Sequence, residues 1–210
     1  MKKLVAVTLT SFIVFFMSSF SLYGQGGIGF GVKAGMNYGN ISGPEVEKEW
    51  INRMALVAGV FVTLNLNSFF AIQPEVLYSR KGPKWDGQFE GEPFKATAEF
   101  DYIDVAFLAK GLIQISANST FRLNLFSGPY VGIKQKAKLK YEWGGESGEN
   151  ELEHIKDKDF GLVFGGGFDF DIGMGRLLVD LRYGMSLSSI SKEEEIKNKV
   201  FSVMLGYSSR

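Results

Sequence analysis

Cysteine is absent from the sequence, which excludes a disulfide-stapled fold and a lipid-anchored thiol. Stability has to come from packing and closure. Long apolar runs are absent as well. The only extended one, Leu4 to Met17, has 14 residues, short of the ~20 that an α-helix needs to cross a bilayer. There is no excess of charge of one sign: 23 Lys and Arg stand against 23 Asp and Glu. Without Lys2 and Lys3 the balance is 21 against 23, a net −2 that argues against a nucleic-acid partner. Histidine is reduced to His154. No Ser-His-Asp arrangement can be built within a strand wall around it. Among glutamates and Asp157 in a polar loop, it lacks the fixed geometry of a metal site.

What is present is glycine (26 residues) and phenylalanine (19 residues), arranged with a period of two. From Asp159 to Gly184 the sequence reads DFGLVFGGGFDFDIGMGRLLVDLRYG. Phe160, Leu162, Phe164, Phe168 and Phe170 fall on one face, and Asp159, Gly161, Gly165, Gly167 and Asp169 on the other. A Gly-rich turn at Ile172 to Arg176 returns the chain. Leu177, Val179, Leu181 and Tyr183 then oppose Asp180, Arg182 and Gly184. The second face is too small and too ionic for a solvated surface. It is the pattern of a wall that is apolar toward lipid and polar toward a narrow interior.

The same alternation recurs along the chain. Met1 to Gln25 has a basic start, a short apolar stretch and a small-residue exit, the layout of a secretory signal peptide. That gives residues 1–25 as signal and residues 26–210 as one barrel domain. The first strand follows at Gly27 to Ile41 and the second at Met54 to Asn65. The third, from Phe69, turns Phe70, Ile72, Pro74, Val76 and Tyr78 outward, with a bulge expected at Pro74 because proline removes a ladder donor. A fourth strand spans about Phe100 to Ile113 and a fifth starts near Phe121. Two more form the hairpin above, and the eighth carries Phe201, Val203, Leu205 and Tyr207. Polar loops are expected at Pro83 to Glu99, Tyr141 to Lys158 and Ser188 to Lys197, and before Met54. The connections alternate long and short. With both termini at the short-turn end, that end is periplasmic and the long loops extracellular. Tyr38, Tyr78, Tyr183 and Tyr207 are candidates for interfacial girdles. The fold class is therefore all-β, an eight-stranded antiparallel up-and-down transmembrane β-barrel.

The blocks QPEVLYSRKG, FDYIDVAFLAKG, SGPYVGI, DFGLVFGGGFDF and LLVDLRYGMSLSSI, in this order behind a signal peptide, resemble the PorT-like outer-membrane β-barrel family of Bacteroidetes. The resemblance covers nearly all of the mature chain. It implies an eight-stranded barrel in the outer membrane and, through the family name, a link to protein secretion. Members commonly end on an aromatic residue, whereas this chain ends Gly206-Tyr207-Ser208-Ser209-Arg210.

The inward charges are Lys33, Lys81, Lys110, Arg122, Lys134 and Arg182 against Glu75, Asp104, Asp159, Asp169 and Asp180. An eight-stranded barrel is just wide enough for side chains to fill it, and ions taken out of water persist only when paired. The economical reading is a salt-bridge network that plugs the lumen, with Arg182 facing Asp180 or Glu75. The alternative is a narrow porin-like channel for ions or small solutes. A soluble ligand-binding barrel of the lipocalin kind would need the inverse pattern. Gly29 to Ala34 fits G-x-G-x-x-A but opens no helix, and Gly165 to Gly167 lacks the Lys-Ser/Thr of a phosphate loop. The expectation is a monomer in outer-membrane lipid, without enzymatic activity, cofactor or metal. Its long loops, rich in glutamate at Glu45, Glu47 and Glu49 and again at Glu146, Glu149, Glu151 and Glu153, would meet an envelope or extracellular protein.

Overall fold

Period-two sequence leaves each strand with one apolar and one polar face, and only closure removes the edges that such strands would expose in a membrane. The computed structural model describes residues 27–44, 50–89, 91–114, 119–193 and 195–209. The expected signal peptide and Glu45, Glu47 and Glu49 lie outside the described residues. Among the described residues there are ten strands: β1 (Ile28–Ser42), β2 (Arg53–Asn65), β3 (Phe70–Lys81), β4 (Lys84–Phe89), β5 (Glu92–Gln114), β6 (Phe121–Trp143), β7 (Glu146–Glu151), β8 (Lys158–Asp171), β9 (Gly175–Ser186) and β10 (Lys197–Ser209). Eight of them, β1-β2-β3-β5-β6-β8-β9-β10, pair antiparallel in sequence order, and β10 pairs back onto β1. This ring is the expected eight-stranded barrel. Its closing seam runs from Gly31 opposite Ser208 to Ser42 opposite Lys197.

Two expected loops are strands. Segments 83–99 and 141–158 carry many charges, but their alternation persists. Ala96, Ala98 and Phe100 are buried, whereas Lys95, Thr97, Glu99 and Asp101 occupy the opposite face. These residues lie beyond the lipid-facing band, so both chemistries fit an extended strand that stands in water. The hairpins β4–β5 and β6–β7 flank the β5–β6 pair and carry the sheet past the barrel. Eleven residues of β5 extend beyond Ile103, a projection of roughly 25 Å at ~3.3 Å per residue and ~45° tilt. The β6–β7 turn is Gly144-Gly145, with φ of +58° and +86°, the signs a two-residue type I′ turn demands. Trp85 and Trp143 sit on this extension rather than in loops, and Trp85 packs on Phe94 with ring centroids 5.1 Å apart.

No bulge occurs at Pro74. It stays in register opposite Phe107, and the β2–β3 ladder keeps the same register on either side of it, from Phe61 opposite Glu75 to Leu64 opposite Ile72. The register shift lies elsewhere. Tyr102 faces Lys134 but Asp101 faces Lys136, which leaves Gln135 as the extra residue. Below it the odd-numbered residues of β6 face lipid, and above it the even-numbered ones face outward.

Outside the ring, Val60, Phe107, Leu125, Phe160, Phe201 and Leu205 are all exposed. On β5 and β6 this apolar band runs from Ile103 to Ile113 and from Leu123 to Ile133, about the height of a hydrocarbon core. Inside, glycine leaves room for rings. A Cβ on Gly31 would stand 2.2 Å from Phe61, one on Gly161 2.4 Å from Tyr130, and one on Gly165 2.4 Å from Phe126.

Candidate functional site: the barrel lumen

The inward positions bring most of the expected charges into two buried clusters. In the first, Lys33 on β1 donates from Nζ to Glu75 on β3 at 2.6 Å and to Asp180 on β9 at 2.7 Å. Arg182 grips the same two carboxylates, with Nη1 2.8 Å from Glu75 and Nη2 3.0 Å from Asp180. Four charges thus tie three sides of the ring together. All four are nearly or fully buried. Gln73 adds a hydrogen bond to Glu75 and accepts others from Thr63 and Lys110. Toward the short-turn end, Asp169 accepts from Arg122 and Asn124 at 3.0 and 2.9 Å. Lys110 departs from the expected pairing. Its ammonium bonds to Gln73 and lies 5.8 Å from the Phe126 ring centroid, with no carboxylate within ion-pair distance among the described residues.

The second cluster lies toward the long-loop end. Lys81 bridges Asp104 at 3.0 Å and Asp159 at 3.4 Å. Asp159 also accepts from Tyr130 and Asn198. Aromatic rings back the cations in both clusters. Lys33 lies 4.5 Å from the Phe61 centroid, Lys81 4.6 Å from Tyr130, and Arg182 5.3 Å from Phe126. Such contacts strengthen where water is excluded. Between the clusters a cavity of about 40 Å³ is lined by Val57, Leu77, Ala106, Val163 and polar neighbours such as Asn37 and Ser79. It has room for very few water molecules.

A third closure was not visible in the alternation. Ile155 and Ile190, from the two loops flanking β8 and β9, are buried against Ala98, Phe100, Tyr102 and Ala137, with Trp50 and Leu152 packed alongside. Backbone bonds knit the two loops: Lys156 N–H donates to Ile190 at 2.7 Å and Lys192 N–H to His154 at 2.9 Å. Lys134, expected in the lumen, stands at its mouth. Its ammonium donates to the Ile155 carbonyl and pairs with Asp157 at 3.1 Å. That hydrogen bond and charge hold the Asp157 carboxyl below its ordinary range. The sequence signal for this plug was an isolated isoleucine in each of two polar loops, a pattern that also fits a solvated loop. His154 is exposed beside Glu193, with Nδ1 2.9 Å from the carboxylate.

A tube lined by paired ions, walled by lipid-facing residues and closed by β1 against β10 is the geometry of an outer-membrane barrel, and residues 18–192 match the family model described as outer membrane protein beta-barrel domain. The chain belongs to that family. Its place is therefore the outer membrane. Among solved structures, the chain is similar in fold to Neisserial surface protein A, at 12% identity over 84% of this chain and 95% of that one, with a TM-score of 0.43. It is likewise similar to Ail, the attachment invasion locus protein of Yersinia pestis, at 13% identity over 86% and 97%, with a TM-score of 0.42. OprG from Pseudomonas aeruginosa gives 11% over 89% and 97%, with a TM-score of 0.43. No curated protein matched the chain.

Proposed function

We propose that this family member is a closed, non-enzymatic outer-membrane barrel whose work is done outside the lumen, as a monomeric structural or interaction protein that meets its partner through the long-loop end. The observation that carries this reading is the filled lumen. Two ionic clusters and the Ile155–Ile190 plug occupy successive levels of one narrow tube, and about 40 Å³ remains between the clusters. The sheet formed by β4, β5, β6 and β7 supports it further, since a rigid extension projecting roughly 25 Å offers a surface where a barrel alone offers only a rim. On this reading the long loops are extracellular, the signal peptide is removed, and the PorT-like resemblance makes secretion components of the envelope the first partners to test.

Planar-bilayer recording of the refolded mature chain tests the closed lumen, after heat-modifiable gel mobility has verified a folded barrel. A silent bilayer is expected. Discrete ion-selective steps would instead establish a narrow channel and make Lys33, Glu75, Asp104 and Arg182 its selectivity candidates. Cross-linking in intact cells, with a photoreactive residue in place of Lys95 on the extension, tests the interaction surface. A discrete adduct is expected, and a clean negative across several extension positions counts against the reading.

A further inference from the structure

The two ends of the lipid-facing wall differ in charge. At the short-turn end the exposed outward positions are apolar or aromatic, among them Leu66, Phe69, Ile113, Ile172, Met174 and Tyr207. At the long-loop end three strands of the wall stop on cations, whereas β2 and the chain just after β9 stay apolar there, with Met54 and Leu187 exposed. On β8, Phe160 is followed toward that end by the exposed Lys158. On β10, Phe201 is followed by the exposed Lys199. On β6 the next outward residue after Ile133 would be Gln135, but the register shift at Asp101/Tyr102 turns the exposed Lys136 to that face instead. The neighbouring Arg80 has its own partner, with Nε 2.6 Å and Nη2 3.0 Å from Asp101. Lys136, Lys158 and Lys199 make no ion pair within 4 Å among the described residues, although Lys136 stands across the ladder from Asp101 and lends it charge.

We propose that Lys136, Lys158 and Lys199 form a headgroup-binding ring for a phosphorylated lipid in the leaflet at the long-loop end. Each ammonium stands one outward position beyond the last apolar residue of its strand. That is the level at which a lipid that packs its chains on Ile133, Phe160 and Phe201 carries its phosphates. Lysine suits the place, because its stem lies along apolar surface while the ammonium reaches the polar layer. Cations near an anionic membrane surface attract its headgroups, and the attraction fades within a Debye length. Lys158 sits directly opposite Ile133 in the β6–β8 ladder, so it and Lys136 on the adjacent strand can approach a single phosphate from two sides. Charge complementarity selects the occupant. A zwitterionic lipid offers no net charge to three ammonium groups, and at the opposite rim the described residues that face outward, such as Leu66, Phe69, Ile113, Ile172 and Met174, carry no cation. The proposal rests on the lipid-facing placement of the barrel and not on the closed lumen, so a conducting barrel leaves it standing.

The test uses the mature chain refolded into phosphatidylcholine nanodiscs that contain a small fraction of bisphosphorylated lipid A or its dephosphorylated form. Native mass spectrometry then reads the lipid retained after detergent release. The phosphorylated form should be enriched over phosphatidylcholine, with enrichment falling as salt rises. The triple variant Lys136→Gln, Lys158→Gln, Lys199→Gln should lose roughly fivefold per lysine, while Lys84→Gln, Lys95→Gln, Lys140→Gln on the projecting sheet should keep the wild-type value. Equal retention of the dephosphorylated lipid, or enrichment undiminished in the ring variant, overturns the proposal. Heat-modifiable mobility checks folding of each variant. Should the ring variant fail to fold, the salt series on the wild-type chain decides, because salt-independent enrichment is incompatible with an ionic contact.

Discussion

The middle of the lumen and its long-loop mouth close one tube by opposite chemistry. In the middle, Lys33, Glu75, Asp180 and Arg182 are buried ions whose desolvation is offset mainly by one another. At the mouth, Ile155 and Ile190 are buried hydrocarbon on loops, stable because their surface leaves water. The ionic closure belongs to rigid strands and is intolerant of losing one partner. The apolar closure belongs to loops held by a few backbone bonds and by Lys134, and can open locally without unravelling the ring. One predicts global effects on mutation, the other local ones.

The largest effect is expected from Glu75→Leu, which strips Lys33 and Arg182 of their shared carboxylate. Loss of one member of a buried ion cluster costs about 3–5 kcal/mol, read as a lowered urea midpoint of the refolded barrel. Arg182→Leu should cost a comparable amount, since Lys33 alone then faces two carboxylates, Glu75 and Asp180. A change below about 1 kcal/mol in both variants would mean that water, not pairing, solvates these groups. Next comes Ile190→Ala. Removing a fully buried isoleucine costs about 2–4 kcal/mol, but the loss should appear as faster hydrogen exchange at Lys156 and Lys192 with the global midpoint almost unmoved. Equal global destabilisation would erase the distinction between the closures. Opening either closure alone should leave a bilayer silent, because the Lys81–Asp104–Asp159 cluster still fills the tube.

A smaller effect is expected from acid. Because the folded Asp157 carboxyl lies below its ordinary range, its pairing with Lys134 is fully present above the unfolded value of about 3.9. The pairing is lost as the pH falls through the lower folded value. Exchange at the Lys156 amide should therefore quicken below about pH 4, and Asp157→Asn should abolish that pH dependence. The smallest effect is expected at Lys138 and Glu149. The pair lies on the exposed sheet, where water screens it, so Lys138→Gln should leave the urea midpoint of the refolded barrel unmoved.

The barrel was legible because lipid outside and a crowded lumen inside force every strand into strict alternation. Glu75, Asp180 and Arg182 could be placed on one face from parity alone. Parity assigns a side but not a neighbour, so the contact of Lys33 with both Glu75 and Asp180 needed the register of β1, β3 and β9. It also gave Lys110 a carboxylate it does not have. The extension was missed because Lys95, Glu99, Glu142 and Glu149 look like loop composition when the outer face is water rather than lipid. The Ile155–Ile190 plug was missed because loop residues carry no period. Pro74 misled in the other direction, since a missing donor interrupted a ladder without shifting it.

The glycines that admit Phe61, Tyr130 and Phe126 into the lumen bear on how such a sequence can vary. A ring occupies the volume where its partner's Cβ would be, so Gly31 with Phe61, Gly161 with Tyr130 and Gly165 with Phe126 are each one position in effect, shared between two strands. A side chain gained on one strand must be matched by a ring lost on the other. Drift through this wall is then expected to proceed by paired exchanges, with the single-step intermediates disfavoured.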